Sequence, residues 1–398
     1  MTSSTPLPES PATSSTGSPA ATLATPLPAS LDAIATPALL VELPRMERNI
    51  ARMAEAYAAA RVTLRPHVKT SKCWEVARRQ LAAGAVGFTC STPEEVDWLL
   101  GQGVPDLLWA HVPVGPAKVA FAVDAVARAE RAGQRLAVAL DSVAAGQPLS
   151  EAALRAGVRV PFVLEVNTGH GRAGAEPGAV PERARELASL AGLSLRGVLT
   201  HEGHLARYVG DRAGLERAGR GAGDLLAALA AGLRADGHTM DIVSVGSTPG
   251  ATSAPFADGV TEARPGTYVY FDANQMRLGS AVLDECALTV LGRVVSTERP
   301  GVVVTDAGIK AMSSDAVAAA GSVGLVCDAD GLPLAGVEFS DANEEHGFLT
   351  GPGTTELEVG DLVRIVPNHA CGTTNMFGTL HAVADGTVVE RWPISARH

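Results

Sequence analysis

The sequence contains no run of 18 consecutive apolar residues, the length that a helix needs to cross a bilayer. Its N-terminus also lacks the basic residues and the unbroken apolar core of a secretory signal peptide. Basic residues form no long run, and the net charge of −11 disfavours nucleic acid and anionic membranes as partners. We therefore expect a cytoplasmic protein that binds a small molecule, with no nucleic acid and no membrane as partner.

Cysteine is also scarce, because the 398 residues include only five and these are widely spaced. A disulfide framework uses closely spaced, paired cysteines, so this pattern fits a reducing compartment better. We interpret the five residues as free thiols, of which at least one is a candidate ligand.

The first 30 residues are mostly Ser, Thr, Pro and Ala, with almost no aromatic or charged side chains. Such a composition cannot bury enough surface to offset chain entropy, so residues 1–30 are predicted to be a disordered tail. The whole chain is longer than one hydrophobic core usually serves. We therefore expect one large and one smaller domain after the tail.

Short apolar runs then alternate with helical stretches rich in Ala, Leu and Arg. Eight such strand-plus-helix units fit the size of a (β/α)8 barrel. An open doubly wound sheet is the competing arrangement, but no G-x-G-x-x-G motif follows an early strand, which disfavours a dinucleotide-binding version. The eight predicted strands are residues 62–64, 85–89, 106–110, 135–140, 161–166, 195–200, 241–246 and 260–265.

Helical periodicity fades after the eighth run. Apolar runs at 287–295, 301–305, 322–327 and 362–366 are separated by Gly, Pro and Asp, which is typical of a β domain. The predicted fold class is therefore α/β. An N-terminal (β/α)8 barrel spans residues 31–268, and a C-terminal β domain spans residues 269–398.

The working groups of a (β/α)8 barrel stand at the C-terminal ends of its strands, and polar residues do follow the predicted strands here. Lys69 follows the first of them, within the cationic segment R-P-H-V-K-T-S-K. Neighbouring cations and burial favour the neutral, nucleophilic form of a lysine amine. Lys69 is therefore a candidate Schiff-base residue, and the alternative is a lysine-rich surface loop.

The turn after the seventh predicted strand reads G-S-T-P-G and begins at Gly246. Small residues expose backbone N–H groups, and Ser247 and Thr248 add hydroxyls, so the turn suits a phosphate at the place where barrels often bind one. An ordinary Gly/Pro turn is the alternative. An imine-forming lysine and a phosphate site together indicate pyridoxal 5′-phosphate. Arg172, after the fifth predicted strand, is then a candidate partner of the cofactor ring or, alternatively, forms a surface ion pair.

A second group of candidate residues lies near the C-terminus, in P-N-H-A-C. If the strand predicted at 362–366 continues, His369 and Cys371 are two positions apart and project from the same face. An imidazole and a thiolate suit zinc or another borderline divalent metal, and two protein ligands indicate an open site that admits water or substrate. A His and a Cys in an ordinary turn are the alternative.

These motifs together resemble the D-threonine aldolase and D-serine dehydratase family: R-P-H-V-K-T-S-K, G-H-G-R-A-G, T-H-E-G-H, G-S-T-P, R-P-G-T-Y, E-E-H-G and P-N-H-A-C. The resemblance spans residues 65–371 and implies an alanine-racemase-like, fold-type III arrangement, a homodimer, pyridoxal phosphate and a divalent metal, zinc or manganese. By motif, Lys69 would hold the cofactor as an imine, and His369 and Cys371 would bind the metal. The other cofactor contacts would come from Arg172, Gly246, Ser247, Thr248 and Tyr268.

The resemblance implies a lyase that acts on D-3-hydroxy amino acids. In an aldolase, a base takes the proton of the β-hydroxyl, and glycine and an aldehyde result; the candidate bases are His67, His201 and His204. In a dehydratase, Lys69 removes the Cα proton, and a 2-oxo acid and ammonia result. The His-x-Cys pair resembles the dehydratases and the T-H-E-G-H segment the aldolases. We predict a D-threonine aldolase; the alternatives are a D-serine dehydratase, a 3-hydroxyaspartate lyase and an amino acid racemase.

Overall fold

The computed structural model of the chain describes residues 27–312 and 321–397. The tail predicted for residues 1–30 lies outside the described residues as far as residue 26, so its disorder stays a prediction. Within the described parts of the chain, no helix has both the length and the apolar character that a membrane crossing requires.

The secondary structure follows the predicted alternation. The strands up to the end of the barrel are β1 (Ala38–Glu42), β2 (Thr63–Leu64), β3 (Phe88–Cys90), β4 (Asp106–Trp109), β5 (Arg135–Leu140), β6 (Val160–Glu165), β7 (Leu193–Leu199), β8 (Ile242–Val245) and β9 (Glu262–Ala263). The helices between and after them are α1 (Leu43–Ala60), α2 (Trp74–Ala82), α3 (Pro93–Gly101), α4 (Pro116–Arg131), α5 (Val143–Ala156), α6 (Val180–Ala188), α7 (Arg212–Ala235) and α8 (Ala273–Arg277).

Strands β2 to β9 form one parallel sheet in the order β2-β9-β8-β7-β6-β5-β4-β3. A parallel bridge between His67 and Thr89 joins the two ends of this sheet, and the Thr89 N–H donates to the Pro66 carbonyl at 2.8 Å. Each of the eight predicted strands overlaps one of these strands. The predicted (β/α)8 barrel is therefore confirmed.

Alternate residues of the barrel strands pack into two different hydrophobic clusters, as the two-residue period of a strand requires. One cluster combines residues such as Val138 and Phe162 with residues of the surrounding helices. The other is built from strand residues, among them Leu108, Ala139 and Val163, and therefore fills the barrel interior. Because both faces are covered, the strands read in the sequence as continuous apolar runs.

The C-terminal domain is a mostly antiparallel sheet, as predicted. It contains β10 (Leu288–Ser296), β11 (Val302–Thr305), β12 (Gly324–Cys327), β13 (Glu338–Ala342), β14 (Gly347–Thr350), β15 (Leu362–Pro367), β16 (Thr379–Ala384) and β17 (Thr387–Pro393). Helix α9 (Ala370–Met376) lies between β15 and β16. The central path of the sheet runs β13-β14-β11-β10-β1-β16-β17, and β15 pairs with both β10 and β12.

One part of the predicted domain division is wrong. Strand β1 lies in the second sheet and not with the barrel, because it pairs antiparallel with β10 and parallel with β16. Its apolar residues Leu39, Leu40 and Val41 are fully buried, as a central strand requires. The sequence shows that this run is buried, but not which sheet covers it, because its partners lie about 250 and 340 positions further along the chain.

A buried arginine connects three barrel strands. The Arg65 Nε atom lies 2.7 Å from the Glu262 carboxylate of β9, and its Nη1 atom lies 2.7 Å from the Asp106 carboxylate at the start of β4. Asp106 also pairs with Arg135 of β5, whose side chain is 76% exposed. The same carboxylate therefore has one buried and one solvated partner.

This difference predicts unequal effects of removing the two arginines. Arg65→Met leaves the buried Glu262 carboxylate without its ion pair and Asp106 with only its exposed partner, and should lower the free energy of unfolding by about 3–5 kcal/mol. Arg135→Met is the matched control and should cost about 1 kcal/mol or less, because an exposed pair contributes little. Urea unfolding followed by circular dichroism measures both, and equal losses would contradict a structural role for the Arg65 bridge.

Candidate active site

A cavity of about 680 Å³ opens at the C-terminal end of the barrel, where residues of the C-terminal domain also reach it. All predicted site residues line this cavity except His204 and Tyr268. The residues that it brings together are His67, Lys69, Arg172, His201, Gly246, Ser247, Thr248, His369 and Cys371.

Lys69 lies in a single turn of 3-10 helix, Val68–Thr70, that is separated from the end of β2 by three residues. Val68 and Thr70 are buried, so the turn is held on both sides of the lysine. Gly266 of the R-P-G-T-Y motif packs closely on this turn, because a Cβ atom there would lie only 2.6 Å from the Thr70 hydroxyl oxygen. The glycine therefore allows the chain after β9 to approach the lysine turn.

His67 precedes this turn, and both of its ring nitrogens have partners. Its Nδ1 atom accepts a long hydrogen bond from the Lys69 N–H at 3.5 Å, and its Nε2 atom lies 3.3 Å from the Ser91 hydroxyl. Burial, together with the charges of Lys69 and Arg264, lowers the pKa of His67 well below its ordinary value. The imidazole is therefore neutral at physiological pH.

The T-H-E-G-H segment contacts Gly246, the first residue of the predicted phosphate turn. The Gly246 N–H donates to the Glu202 carboxylate at 3.0 Å, and the Gly246 carbonyl lies in hydrogen-bond contact with Nδ1 of His201. Burial, followed by the charge of Lys69, lowers the pKa of His201 to about 3. Burial raises the pKa of Glu202, although Ser247 and Arg264 act in the opposite direction. Two consecutive side chains therefore fix both polar groups of Gly246.

The rest of the phosphate turn is tied together by its hydroxyls. The Ser247 hydroxyl accepts the Gly250 N–H at 3.1 Å, and the Thr248 hydroxyl accepts the Tyr268 N–H at 3.2 Å. The phenol of Tyr268 is buried away from the cavity, where its oxygen accepts a hydrogen bond from Gln80 at 2.8 Å. Tyr268 thus contacts the phosphate turn through its backbone N–H, and its side chain does not line the cavity.

Arg172 and His204 lie at the rim of the barrel mouth. The Arg172 guanidinium lies 3.4 Å from the Glu165 carboxylate, and half of its side chain is exposed, which leaves it able to contact a ligand in the cavity. The His204 ring instead packs against Gly169, outside the cavity lining. Its position gives it no direct access to a bound substrate in this conformation.

His369 and Cys371 do not lie on one strand, so the predicted continuation of the strand at 362–366 is wrong, although both residues line the cavity. Strand β15 ends at Pro367, and His369 is the N-cap of α9, so Cys371 lies in the first turn of a helix. The Cys371 Sγ atom lies 3.1 Å from the Thr70 hydroxyl and 3.5 Å from that of Thr267. Burial alone would raise the pKa of Cys371, but His369, Lys69 and Thr70 bring it down to about 7.

His369 and Cys371 supply only part of the ligand set that a divalent metal needs. A thiol with a pKa near 7 supplies a thiolate readily, and a thiolate with an imidazole is a zinc-type donor set. Across residues 27–312 and 321–397, no group of three or more His, Cys, Asp and Glu side chains is arranged to hold a metal ion. The donor set therefore fits an open site that water or substrate completes.

Asp272 is a site residue that the sequence analysis missed. It is completely buried, lines the cavity and accepts N–H groups from Ala370 at 3.0 Å and from Gln275 at 2.9 Å. Burial raises its pKa to about 6, although the Ala370 N–H and the charge of His369 oppose the shift. Asp272 thus joins the end of the barrel domain to α9. Asp272 is the N-cap of α8, which explains the bond from Gln275. No local pattern in the sequence indicates its second partner, the Ala370 N–H.

Comparisons with known proteins agree with this arrangement. The model of the alanine racemase N-terminal domain matches residues 41–274, and that of a putative serine dehydratase domain matches residues 287–383. D-threo-3-hydroxyaspartate dehydratase of Delftia sp. strain HT23 is 37% identical over 90% of this chain and 96% of its own length. D-threonine aldolase of an Arthrobacter species is 33% identical over 91% of this chain and 92% of its own.

Solved structures give the same result. D-threo-3-hydroxyaspartate dehydratase from Delftia sp. HT23 superposes with a TM-score of 0.85 at 36% identity, over 92% of this chain and 98% of that one. A D-threo-3-hydroxyaspartate dehydratase variant with a cysteine replaced by alanine, in the metal-free form, gives the same values. A second variant replaces a histidine two positions earlier. D-threonine aldolase from Filomicrobium marinum gives 0.83 at 30% identity, over 94% and 98% of the two chains. The chain therefore belongs to the D-threonine aldolase and D-serine dehydratase family of alanine-racemase-like, fold-type III pyridoxal-phosphate lyases.

Proposed function

We propose that this protein is a pyridoxal-phosphate- and divalent-metal-dependent lyase that eliminates water across Cα and Cβ of D-3-hydroxy amino acids. Hydrolysis of the resulting imine takes up one water and yields a 2-oxo acid and ammonia. The observation that carries this proposal is the hydrogen bonding of the histidines in the cavity. Both ring nitrogens of His67 and one ring nitrogen of His201 already have hydrogen-bond partners. Lys69, His369 and Cys371 line the same cavity.

The cavity residues suit the cofactor that the family uses. Pyridoxal phosphate supplies an electron-withdrawing ring that makes the Cα proton of an amino acid more acidic. Lys69 would bind it covalently, Ser247 and Thr248 would contact its phosphate, and Arg172 would contact its ring. Gly246 would act differently from the sequence prediction, because its N–H already donates to Glu202. Its role would be to place the turn, not to bind phosphate.

His369 and Cys371 would hold the metal, for which an imidazole and a thiolate favour zinc over manganese. The metal would supply a Lewis acid for the β-hydroxyl of the substrate. Support comes from the Delftia relative, since the histidine and cysteine replaced in its variants have the same two-residue spacing and the cysteine variant is metal-free. The Thr70 and Thr267 hydroxyls beside Cys371 would orient its sulfur.

The two lyase reactions differ in which proton of the substrate the protein removes. Dehydration requires a base at Cα, and Lys69, which lines the cavity, would be that base. Aldol cleavage requires a base at the β-hydroxyl instead. His67 has both ring nitrogens engaged, His204 lies outside the cavity, and His201, with a pKa of about 3, binds a proton weakly. The geometry therefore favours dehydration over the aldol cleavage expected from the sequence.

Aldol cleavage remains the second candidate function because of His201. Its ring lines the cavity, and its Nδ1 contact with Gly246 directs Nε2 elsewhere, so this nitrogen is the aldolase base that the structure favours. The similarity to the Arthrobacter aldolase supports the same alternative. We further propose a homodimer, which the family resemblance implies, and a cytoplasmic location, which fits the few, widely spaced cysteines.

The first test is a product assay with purified protein, pyridoxal phosphate and zinc or manganese. D-threo-3-hydroxyaspartate is the first substrate, because the Delftia relative is named for it, and D-serine and D-threonine follow. We expect oxaloacetate and ammonia from the first of these. Glycine with glyoxylate would instead establish an aldolase, and an inverted Cα without cleavage would establish a racemase. The Lys69→Ala protein is the blank.

Removal of Lys69 should abolish the covalent bond to the cofactor. Lys69→Ala is expected to lose the imine absorbance band and to lower turnover by about 10²–10⁴-fold, the usual contribution of a positioned base. Lys310→Ala is the matched control, because that lysine is exposed and pairs with Glu344 and Glu345 on the surface. A Lys69→Ala protein that keeps the band would contradict the cofactor assignment.

Loss of either proposed metal ligand should remove metal but not cofactor. His369→Ala and Cys371→Ala are each expected to weaken metal binding by more than about 100-fold, the upper range for losing a residue that only supports a ligand. Metal content by mass spectrometry and cofactor absorbance provide the two measurements. Cys327→Ala is the control, since this thiol is buried outside the cavity. Full turnover after verified loss of metal would refute the metal's role.

A further inference from the structure

The last described residues of the chain lie against the turn that carries Lys69. The Ser395 N–H donates to the Lys72 carbonyl at 2.6 Å, and the Lys72 ammonium donates to the Ala396 carbonyl at 2.8 Å. The segment 395–397, which we call the C-terminal latch, follows β17 of the C-terminal domain. One residue of the barrel domain thus exchanges two hydrogen bonds with the other domain.

Lys72 has a backbone conformation that needs such support. Its φ angle is +46°, in the left-handed region that costs a residue other than glycine about 1 kcal/mol or more. Its ammonium is also buried, and a buried charge requires a partner and several acceptors. Glu95 lies 2.9 Å from Nζ and supplies the opposite charge, and the latch supplies a carbonyl.

Two chains of contacts lead from Lys72 to the proposed catalytic lysine. The shorter one is the turn itself, since the N–H groups of Ser71 and Lys72 both donate to the Val68 carbonyl, at 3.1 and 2.9 Å. Lys69 lies inside this hydrogen-bonded loop, so the orientation of Lys72 limits that of Lys69.

The longer chain passes through Glu95. Its second carboxylate oxygen accepts the Ser91 N–H at 2.6 Å, and the Ser91 hydroxyl contacts Nε2 of His67 at 3.3 Å. His67 in turn accepts the Lys69 N–H. Neither Lys72 nor Glu95 lines the cavity. Both act on Lys69 only through other residues.

We propose that the C-terminal latch and Lys72 are positioning elements of the active site, by which the C-terminal domain fixes the turn of Lys69. The inference rests on the proposed function only in making Lys69 the residue that binds the cofactor. Loss of the latch removes an acceptor from the buried ammonium and a donor from the Lys72 carbonyl. The turn should then open more often, and Lys69 should be less well placed for the cofactor.

The test is a variant that ends at Ile394. Ile394 is kept because it is buried and donates its N–H to the Gly378 carbonyl at 3.0 Å. Hydrogen exchange by mass spectrometry, without added cofactor, reports on peptides that contain Ser71 and Lys72. We expect their amides to exchange about tenfold faster, the effect of one lost hydrogen bond to a charged group.

A second readout uses the cofactor. Pyridoxal phosphate is titrated into full-length and shortened protein, and the pH dependence of the bound absorbance is recorded. We expect about tenfold weaker binding and a displaced pH midpoint after truncation. Lys72→Met in the full-length chain should give the same pattern, and it replaces the truncation if the shortened chain does not fold.

Arg364→Met is the matched control for lost stability. Arg364 is also a buried cation paired with a carboxylate, that of Glu42 at 2.7 Å, but it does not line the cavity. This variant should lower the thermal midpoint without changing exchange at Ser71 and Lys72. If truncation and Lys72→Met behave like Arg364→Met, the latch is only structural and the proposal is overturned. If full-length protein binds no cofactor, the proposed function fails, and the exchange result alone decides on the latch.

Discussion

The active site depends on a buried guanidinium. Arg65 lies four positions before Lys69 and binds carboxylates of β9 and β4, so it joins the first barrel strand to the last and to the third. Strand β2 is only two residues long and therefore forms few hydrogen bonds with the neighbouring strands. The ion pairs of Arg65 thus help to hold β2 in place, as further backbone hydrogen bonds would do for a longer strand. The turn that carries Lys69 follows Arg65 in the chain, so the position of Arg65 also determines where this turn lies.

The cavity is completed by the second domain because the chain passes between the two domains at several points. Strand β1 lies in the C-terminal sheet and continues directly into α1, where Asn49 donates to the Glu285 carbonyl at 2.8 Å, just before β10. Asp272, at the end of the barrel, accepts the N–H of Ala370 in α9. These connections bring Cys371 to the Thr70 hydroxyl, one residue from Lys69.

Local patterns predicted the barrel, and most of the site residues that they predicted line the cavity. Each barrel strand is a short apolar run between turn residues, and the rule that working groups follow strands located Lys69, Arg172 and Ser247 at the cavity. Local patterns did not predict three properties that depend on residues far away in the chain. These are the sheet that contains β1, the helix that holds Cys371, and the role of Asp272. A motif also does not fix side-chain direction, which explains why His204 and the Tyr268 phenol lie outside the cavity.

Burial first, and then the charges around the cavity, explain why the pKa values of His67 and His201 are lowered. Lys69, Lys118, Arg172 and Arg264 line it, so an imidazolium would add a further positive charge in a place with little water. A phosphate and the carboxylates of an amino acid benefit from the same cations. The field that attracts an anionic ligand thus also lowers the basicity of His67 and His201, both of which have Lys69 as a neighbour. Binding and proton transfer are therefore coupled in the proposed reaction, in which Lys69, rather than an imidazole, would take a proton from the substrate.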